Sequence, residues 1–444
     1  MTVTLDQLSA CFEGVIPSVI ATTAADGTPN VSYLSHVVKV DEGHVALSNQ
    51  FFAKTSANVR ANRAAELLLV CPRTGDQYLL DLMWDRLLDD GPIFDQIDRA
   101  LRAAIAQTGM AKVMRLKAVD IFRILDIRAV PSALLRNETP AGSNRPSMRS
   151  LAEMTSRLAE KTSAEDLFAS LMRESCALTG CANALILVHE PGRSALVTVA
   201  SEGYSEPAAG AEVALGEKLI GESAAACSTL KINDLSRMRR MSHAAGGVAN
   251  GDEGERSIAL PRLAGAMSQI AVPMSSHGKL MGVLFLESER RLAFDDEAAA
   301  SLEALVRQAA STLALIESRA TAPVEVEHLK ASAPTSAKTI AVRVHRFDDS
   351  VFIDGRYVIK GVAGRLLVFL IERALAEGRD TFTNREIRLA SELRLPEFKD
   401  NLETRLLLLA RRLEDKAFPV RLLRHGRGVM VLHIDGNPVL TYDQ

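Results

Sequence analysis

The chain has 444 residues, of which 47% are hydrophobic and 24% are charged, and its formal net charge is −3. This length allows about three domains, each able to bury its own core, and the charge excludes a uniformly basic nucleic-acid binder. The five cysteines are irregularly spaced, which argues against a disulfide framework and fits a reducing compartment. The sequence has no signal-peptide pattern and no run of about 18 apolar residues, so it predicts a cytoplasmic protein without membrane spans.

Two segments that contain several Pro and Ser residues divide the chain. They lack sustained apolar periodicity and predict linkers at 131–148 and 321–338. The domains expected between them are residues 1–130, 149–320 and 339–444. The last part is the basic one, because from residue 340 it carries 18 Lys and Arg against 15 Asp and Glu, a balance of +3.

The first domain is expected to be a small β-barrel that begins with a short helix around Leu5–Phe12. Turns at Ala25-Asp26-Gly27 and Asp41-Glu42-Gly43 have the residues that hairpins require. The predicted strands are Ser18–Thr23, Asn30–Val40, His44–Asn49, Ala65–Cys71, Gln77–Trp84 and Ala118–Ile127, with helices at Lys54–Asn62 and 92–109. Many short strands in meander order are typical of a barrel.

A phosphate site is predicted where Lys54 and Thr55 follow a strand and open a helix. A lysine charge, a hydroxyl and the free N–H groups of a helix start together bind phosphate. Ser48 and Asn49 end the preceding strand and are expected to line the same cavity.

The segment 21–70 resembles the pyridoxamine 5′-phosphate oxidase-like, FMN-binding split barrel. The resemblance lies in the A-T-x(4)-G-x-P-N-V-S opening at Ala21–Ser32, the hairpin after it, and the Lys-Thr helix start before an apolar strand. It implies that Lys54 and Thr55 hold the FMN phosphate, that Tyr33 and Ser35 face the flavin ring or ribityl chain, and that the protein is a homodimer. Related barrels hold haem, for which the nearest candidate ligands are His36 and His44.

The middle domain is predicted to combine helices with a sheet. Leu151, Met154 and Leu158 lie on one helical face, and strands are expected at Ala184–His189, Ala195–Ser201, Gln269–Met274 and Leu280–Glu287. A last helix, Asp295–Ser318, carries an apolar stripe that either pairs with a partner helix or packs on its own sheet.

This middle region resembles a GAF domain. The motifs are LGEKLIGE at Leu215–Glu222, INDL at Ile232–Leu235, IAVPM at Ile270–Met274, GKLMGVL at Gly278–Leu284, and FDD from Phe294. The resemblance implies an α/β/α sandwich with a small-molecule pocket over the sheet. The Gly-rich segment Ser236–Leu263 is interpreted either as a mobile lid over that pocket or as a disordered insertion.

The last domain reads as strands, three helices and a terminal hairpin. The strands are Ile340–His345, Ser350–Ile353 and Arg356–Ile359, the helices Gly361–Glu377, Thr383–Leu393 and Glu397–Lys416, and the hairpin Val420–Leu423 with Val429–Ile434. This order resembles the winged helix-turn-helix domain of response-regulator type. The resemblance implies that the last helix enters the major groove of DNA and that the wing contacts phosphates.

On the helix 397–416, four leucines form a core stripe, and the opposite face is predicted to contact DNA. The candidate DNA-binding residues are Asn401, Thr404, Arg405, Arg411, Arg412, Arg424 and Arg427. Leu408 lies in the middle of this face, and winged helices also dock proteins, so both kinds of partner stay open.

Taken together, these patterns predict a multidomain α+β regulator with a split β-barrel, a GAF sandwich and a winged helix, which couples a flavin or small-molecule signal to DNA. Two other classes stay open. One is a flavin-dependent oxidoreductase or haem-handling enzyme with regulatory attachments, whose cofactor would do the chemistry. The other is a scaffold whose three domains all bind proteins.

Overall fold

The computed structural model describes residues 3–34, 36–49, 53–106, 116–131, 147–236, 258–319, 338–390, 393, 402–425 and 428–443. Several predictions fall outside these ranges: most of both linkers, most of the Gly-rich segment, the site residues Ser35, Asn401 and Arg427, and the first residues of the predicted helix 397–416. The chain forms three α+β units, here called N-terminal, central and C-terminal.

The N-terminal unit is built on a seven-stranded antiparallel sheet in the order β2-β1-β5-β6-β7-β4-β3. A 3-10 helix, Leu5–Glu13, precedes it. The strands are β1 Ser18–Thr23, β2 Pro29–Leu34, β3 Val37–Asp41, β4 His44–Asn49, β5 Ala64–Val70, β6 Gln77–Leu88 and β7 Ala118–Val130, and the helices are α1 Ala53–Asn62 and α2 Pro92–Ala106. The single strand predicted at Asn30–Val40 is therefore wrong, because β2 and β3 lie at opposite edges of the sheet order.

The central unit contains a six-stranded antiparallel sheet in the order β10-β9-β8-β13-β12-β11. The strands are β8 Asn183–Glu190, β9 Ala195–Glu202, β10 Glu212–Ala214, β11 Leu230–Ile232, β12 Ser268–Ser276 and β13 Lys279–Ser288; the helices are α3 Met148–Ala159, α4 Ala164–Thr179, α5 Lys218–Ala226 and α6 Asp296–Arg319. Helix α6 packs on β12, α3 and α4. Its apolar stripe is thereby buried within its own unit, as one of the two interpretations expected.

The C-terminal unit has two sheets. One has four strands in the order β16-β15-β14-β20, and the other three in the order β17-β19-β18. The strands are β14 Thr339–His345, β15 Ser350–Ile353, β16 Arg356–Ile359, β17 Thr381–Thr383, β18 Val420–Arg424, β19 Val429–Ile434 and β20 Asn437–Asp443; the helices are α7 Gly361–Glu377, α8 Asn384–Leu389 and α9 Leu402–Asp415. Strand β20, absent from the prediction, pairs in parallel with β14 along its whole length.

One apolar core is continuous between the central and C-terminal units. A single cluster of buried side chains extends from Met154 on α3 through Leu313 on α6 to Leu408 on α9 and Leu432 on β19. The buried apolar side chains of the N-terminal unit form separate clusters. The C-terminal unit is therefore held to the central one largely by burial of apolar surface, which is the main favourable contribution to folding and association.

The N-terminal unit meets the central unit through hydrogen bonds and ion pairs. Glu13 accepts from the Lys231 ammonium at 2.8 Å and from the Asn233 amide at 2.6 Å. The guanidinium of Arg73 donates to the backbone oxygen of Leu292 at 2.9 Å. Helix α2 also packs against α5 and β11.

Within the part of the chain that the structure describes, no helix combines the length and the apolar character needed to cross a membrane.

A substitution at Gly282 on β13 tests how closely the strands of the central sheet pack. A Cβ atom at this position would overlap the backbone oxygen of Leu187 and the methyl group of Met274. We expect Gly282→Ala to lower the free energy of unfolding of the central unit by about 1–3 kcal/mol, because the neighbouring strand has to move. Urea denaturation followed by circular dichroism measures this change. Gly192→Ala is the matched control, since a Cβ there meets open space; equal midpoints for the two variants would contradict the described packing.

Candidate functional site

A group of polar side chains lies where helix α1 begins, and we call it the hydroxyl cluster. Its members are Thr22 on β1, Asn30 and Ser32 on β2, and Thr55 and Asn58 on α1. The Asn30 amide donates to the Thr55 hydroxyl at 3.0 Å, and the Ser32 hydroxyl lies 3.1 Å from the same oxygen. The Asn58 amide donates to the Thr22 hydroxyl at 3.1 Å. These contacts bring two strands and one helix start to a common point.

The hydroxyl cluster has the chemistry of an anion site. Thr55 is buried in the first turn of α1, where backbone N–H groups lack partners within the helix. Lys54 is exposed beside it, and the first turn of α1 carries no acidic residue. Neutral donors, one ammonium group and the positive end of a helix together favour a phosphate-like group.

The structure places the other predicted flavin-site residues elsewhere. Tyr33 alternates with Ser32 along β2, so it lies on the opposite face, and it is 75% exposed. The Ser48 hydroxyl accepts from the backbone N–H of His36 at 3.2 Å. The amide of Asn49 donates to the carboxylate of Asp120 at 2.9 Å. Thr55 is therefore part of the hydroxyl cluster and Lys54 lies beside it in sequence, whereas Ser48 and Asn49 bond other partners and Tyr33 is exposed on the opposite face of β2.

Sequence analysis missed most of the hydroxyl cluster. Asn30 and Ser32 are two residues apart on a strand, so they share a face, and this alternation of polar residues was a usable signal. Of the candidate haem ligands, His44 lies at the β3–β4 hairpin with its Nδ1 atom 2.9 Å from the carboxylate of Asp41. This contact belongs to the hairpin turn.

The central unit has a buried carboxylate on the sheet face that α5 covers. Glu287, 3% exposed, accepts from the Tyr204 hydroxyl at 2.9 Å, the Leu263 backbone N–H at 2.9 Å and the Gln269 amide at 2.7 Å. Burial, together with the Glu287 charge, raises the pKa of Tyr204, which keeps its phenol protonated and donating. The surrounding side chains belong to an apolar cluster that includes Leu185. A few polar groups on an apolar wall are typical of small-molecule sites.

The predicted DNA-contacting face of α9 is buried. Thr404, Arg405 and Arg412 are at most 6% exposed, and α9 packs against α4 and β9 of the central unit. The Arg411 guanidinium donates to the backbone oxygen of Val199 on β9 at 2.9 Å. The expectation that this face is free for a partner is therefore wrong for this arrangement. Leu408, which lies in the same face, joins the continuous core.

Arg412 and Arg424 of the predicted set bond partners of their own C-terminal unit. The Nε atom of Arg412 donates to the backbone oxygen of Val358 at 2.8 Å. Arg424 on β18 is exposed, and its guanidinium lies 2.5 Å from the carboxylate of Glu403. The predicted residues that the structure describes, which exclude Asn401 and Arg427, are thus not gathered into one open basic surface.

A carboxylate from the central unit caps helix α9. Glu317, near the end of α6, accepts from the backbone N–H of Glu403 at 3.3 Å and from the N–H and hydroxyl of Thr404 at 3.1 and 3.0 Å. The Arg388 guanidinium lies 3.2 Å from the same carboxylate. Helix N-termini bind negative charge, so Glu317 supplies for α9 what a local capping residue usually supplies.

A charged contact also joins the central and C-terminal units. The Arg193 guanidinium makes two bonds of 2.8 and 2.7 Å to the Glu212 carboxylate. Lys360, just before α7, brings its ammonium to 3.2 Å from the same carboxylate. Such pairs at the edge of an interface add orientation more than free energy.

The comparisons with known proteins bear mainly on the central unit. The family model of the GAF domain matches residues 161–314. These residues form a GAF domain. A search of the curated proteins gave no match. The GAF domain therefore accounts for α4 to α6 and the six-stranded sheet, on which α9 lies.

Solved structures are similar to parts of this chain at low identity. An FMN-binding protein from Syntrophomonas wolfei is 20% identical over 29% of this chain and 84% of its own, with a TM-score of 0.24. The free methionine-R-sulfoxide reductase from Neisseria meningitidis is 22% identical over 37% and 86%, with a TM-score of 0.29. The GAF domain of an Acinetobacter phosphoenolpyruvate-protein phosphotransferase is 17% identical over 39% and 95%, with a TM-score of 0.32. At these scores the likeness assigns no ligand or activity to this chain.

The capping contact is expected to depend on pH. Burial is the main cause that raises the pKa of Glu317 to about 7, and Glu403 adds to it, while the Thr404 N–H and Arg388 oppose it. Because the docked state binds this proton more tightly than the free carboxylate would, the contact loses stability as the pH rises from the ordinary pKa of 4.5 to about 7, and loses no more above it. Hydrogen exchange of the Thr404 amide should therefore accelerate between about pH 5 and 7 beyond its intrinsic base-catalysed increase. Glu317→Gln should remove this excess; a wild-type rate that follows the intrinsic increase alone would contradict it.

Proposed function

We propose that this chain is a ligand-responsive transcriptional regulator. In this proposal the N-terminal unit is a flavin-type split barrel that binds FMN, the GAF domain takes a small molecule, and the C-terminal unit is a winged helix that binds DNA. Two features support the winged-helix assignment. The C-terminal unit has strands, three helices and a terminal hairpin in that order, and its Lys and Arg residues exceed its Asp and Glu residues by three. The protein is proposed to act as a homodimer, which the exposed Val31 and Tyr33 on edge strand β2 favour.

One observation carries the proposal: the face of α9 with the candidate DNA contacts is held on the GAF domain. Thr404 and Arg405 on this face are buried, and Glu317 of the GAF helix α6 caps the same helix. A regulator needs two arrangements of its output surface, one of which the signal stabilises. The docked arrangement hides α9, so a ligand that binds the undocked arrangement more tightly would expose it.

The residues at the hydroxyl cluster fit the phosphate end of FMN. Thr55 and Ser32 offer hydroxyl groups, and Lys54 offers an ammonium group at the start of α1. When bound, the flavin would supply redox chemistry and visible absorbance. Ser48 and Asn49 already bond His36 and Asp120, so the ring end of the flavin has no assigned residues.

The flavin assignment is tested by titration with FMN. The purified protein should bind FMN and absorb near the flavin bands, whereas Lys54→Ala and Thr55→Val should each weaken binding about tenfold, the effect of losing one hydrogen bond to a charged phosphate. Fluorescence quenching of FMN measures the affinity. Lys416→Ala removes an exposed lysine of the C-terminal unit and should bind FMN normally. If the wild-type protein binds no FMN in this titration, a flavin barrel is excluded.

The regulatory assignment is tested by changing Glu317, the GAF-domain residue that caps α9. Glu317→Ala removes the cap of α9 without altering any candidate DNA contact, so affinity for mixed-sequence duplex DNA should rise at least tenfold, equivalent to about 1.4 kcal/mol. Fluorescence anisotropy at several salt concentrations measures it, and a steep salt dependence identifies phosphate contacts. Glu303→Ala, a more exposed position on the same helix, is the control.

Circular dichroism shows whether the Glu317→Ala chain is folded. A folded variant whose hydrogen exchange reports an exposed α9, yet which has no affinity for duplex DNA, would reject DNA binding and leave protein docking as the role of the C-terminal unit.

A further inference from the structure

Two irregular segments of the GAF domain are anchored to one buried carboxylate. The loop 203–211 follows strand β9, and Tyr204 near its start donates its hydroxyl to Oε2 of Glu287 at 2.9 Å. The segment 258–267 precedes strand β12, and the backbone N–H of Leu263 donates to the same oxygen at 2.9 Å. Glu287 itself belongs to β13, which lies between β8 and β12 in the sheet. A single oxygen atom on a central strand thus holds both segments.

The negative charge of Glu287 receives no counter-charge from these partners. Its third donor is the Gln269 amide, so the three donors are a phenol, a backbone N–H and a carboxamide, all of them neutral. The carboxylate lies beside an apolar cluster that includes Phe285, two residues earlier on the same face of β13. Neutral donors leave a net charge in apolar surroundings, which a positively charged partner would offset. This chemistry suits a cation that carries an apolar body.

The bond from Leu263 is the one that such a cation can replace. Gln269 belongs to strand β12, whereas the described segment 258–267 has no helix or strand that would hold its N–H groups in place. A hydrogen bond between an ammonium group and a carboxylate is roughly twice as strong as one from a neutral amide. A ligand ammonium therefore competes successfully with the Leu263 N–H for Glu287.

The two anchored segments meet against helix α9. The Cδ1 methyl group of Ile258 packs on Gly210 so closely that a Cβ atom there would lie 2.8 Å from it. The same Cβ position is 3.8 Å from the Cδ atom of Arg412 on α9. Gly210 is fixed to β9, because its N–H donates to the Thr198 oxygen at 2.9 Å. A shift of the segment 258–267 therefore removes a support of the loop that contacts the docked helix.

We propose that Glu287 is the recognition group of the GAF domain for a small organic cation, an ammonium or guanidinium group on an apolar body. The bound cation replaces the Leu263 N–H, and the released segment 258–267 withdraws Ile258 from Gly210 and loosens α9. This inference rests on the proposed function, since it gives the chemical class of the small molecule that the GAF domain takes. It also supplies the difference in affinity between the two arrangements, because the carboxylate is fully open to the cation only after Leu263 has left.

Hexylammonium and 1-hexanol test the recognition of charge in the full chain. The two probes have the same apolar body, and the amine is charged at neutral pH as a lysine side chain is. The wild type should bind hexylammonium about tenfold more tightly than hexanol, because a charge-assisted hydrogen bond takes the place of a neutral one. Titration followed by saturation-transfer NMR measures both affinities. Equal affinities, or no binding of hexylammonium, would overturn the proposal.

The variant Glu287→Gln separates the charge from the hydrogen bonds. The glutamine oxygen still accepts from Tyr204 and Leu263, and circular dichroism checks that the variant is folded. Its preference for hexylammonium over hexanol should disappear. Glu289→Gln removes an exposed carboxylate two residues away and is the matched control, which should keep the full preference. If Glu287→Gln also keeps the preference, Glu287 is not the recognition group.

Hydrogen exchange tests the release of the segment and its coupling to α9. Saturating hexylammonium should raise exchange of the Leu263 amide at least about tenfold and that of α9 at least about twofold in the wild type. Ile258→Ala should bind hexylammonium as the wild type does, but its α9 exchange should not respond, because the contact with Gly210 is already lost. Unchanged Leu263 exchange would overturn the bond replacement, and a full α9 response in Ile258→Ala would overturn the coupling.

Failure of this inference and failure of the proposed function give different results. If Glu317→Ala exposes α9 and binds duplex DNA, while the wild type does not prefer hexylammonium, only the cation site is wrong. If hexylammonium binds at Glu287 and loosens α9, but neither the ligand-bound wild type nor Glu317→Ala binds duplex DNA, the cation site is supported and DNA binding is rejected.

Discussion

A buried carboxylate in an apolar interface determines how the C-terminal unit sits. Glu317 is surrounded by the continuous core, where an ionised group without compensation is strongly unfavourable. Its partners are the N–H groups of the first turn of α9, the Thr404 hydroxyl and the guanidinium of Arg388. These donors come from two elements of the C-terminal unit. They fix the axial position and rotation of α9 on the GAF domain, which burial of leucines alone would leave variable.

The two junctions of the GAF domain differ in physical character. On the C-terminal side, apolar burial is continuous, so separation exposes a contiguous hydrophobic surface and is cooperative. On the N-terminal side, helix α2 packs against α5 and β11, and Glu13 and Arg73 add individual polar contacts, which can rearrange one at a time. A small chemical change in the N-terminal unit can therefore alter its junction. The C-terminal junction responds when the GAF domain itself changes shape.

Helices and strands that have a clear apolar period and turn residues at their ends could be predicted from the sequence. Ser350–Ile353, Arg356–Ile359 and Gly361–Glu377 have the predicted bounds, because a Gly turn and alternating or helical apolar spacing mark them. The three-residue strands β10 and β11 carry too few residues for a period to show. Strand β20 was missed because its pairing with β14 depends on residues about a hundred positions away.

The candidate sites show the same difference between local signals, which the sequence carries, and contacts between distant residues, which it does not. Lys54 and Thr55 were found because a helix start is a local signal, whereas the partners of Thr55 come from a strand whose register only the fold decides. Glu317 near a helix end has the sequence pattern of a solvated charge, and its burial follows from the position of another unit. Leu408 was the one local sign that the predicted DNA face of α9 packs against protein.

The parallel pairing of β14 with β20 has a mechanical consequence. These strands begin and end the C-terminal unit, and their ladder of seven residue pairs closes everything between them, α9 included, into one loop. Moving α9 away by itself would strain this closed loop. A signal that frees the helix must instead rotate the whole C-terminal unit about a point near residue 338, so all its arginines change surroundings in the same movement.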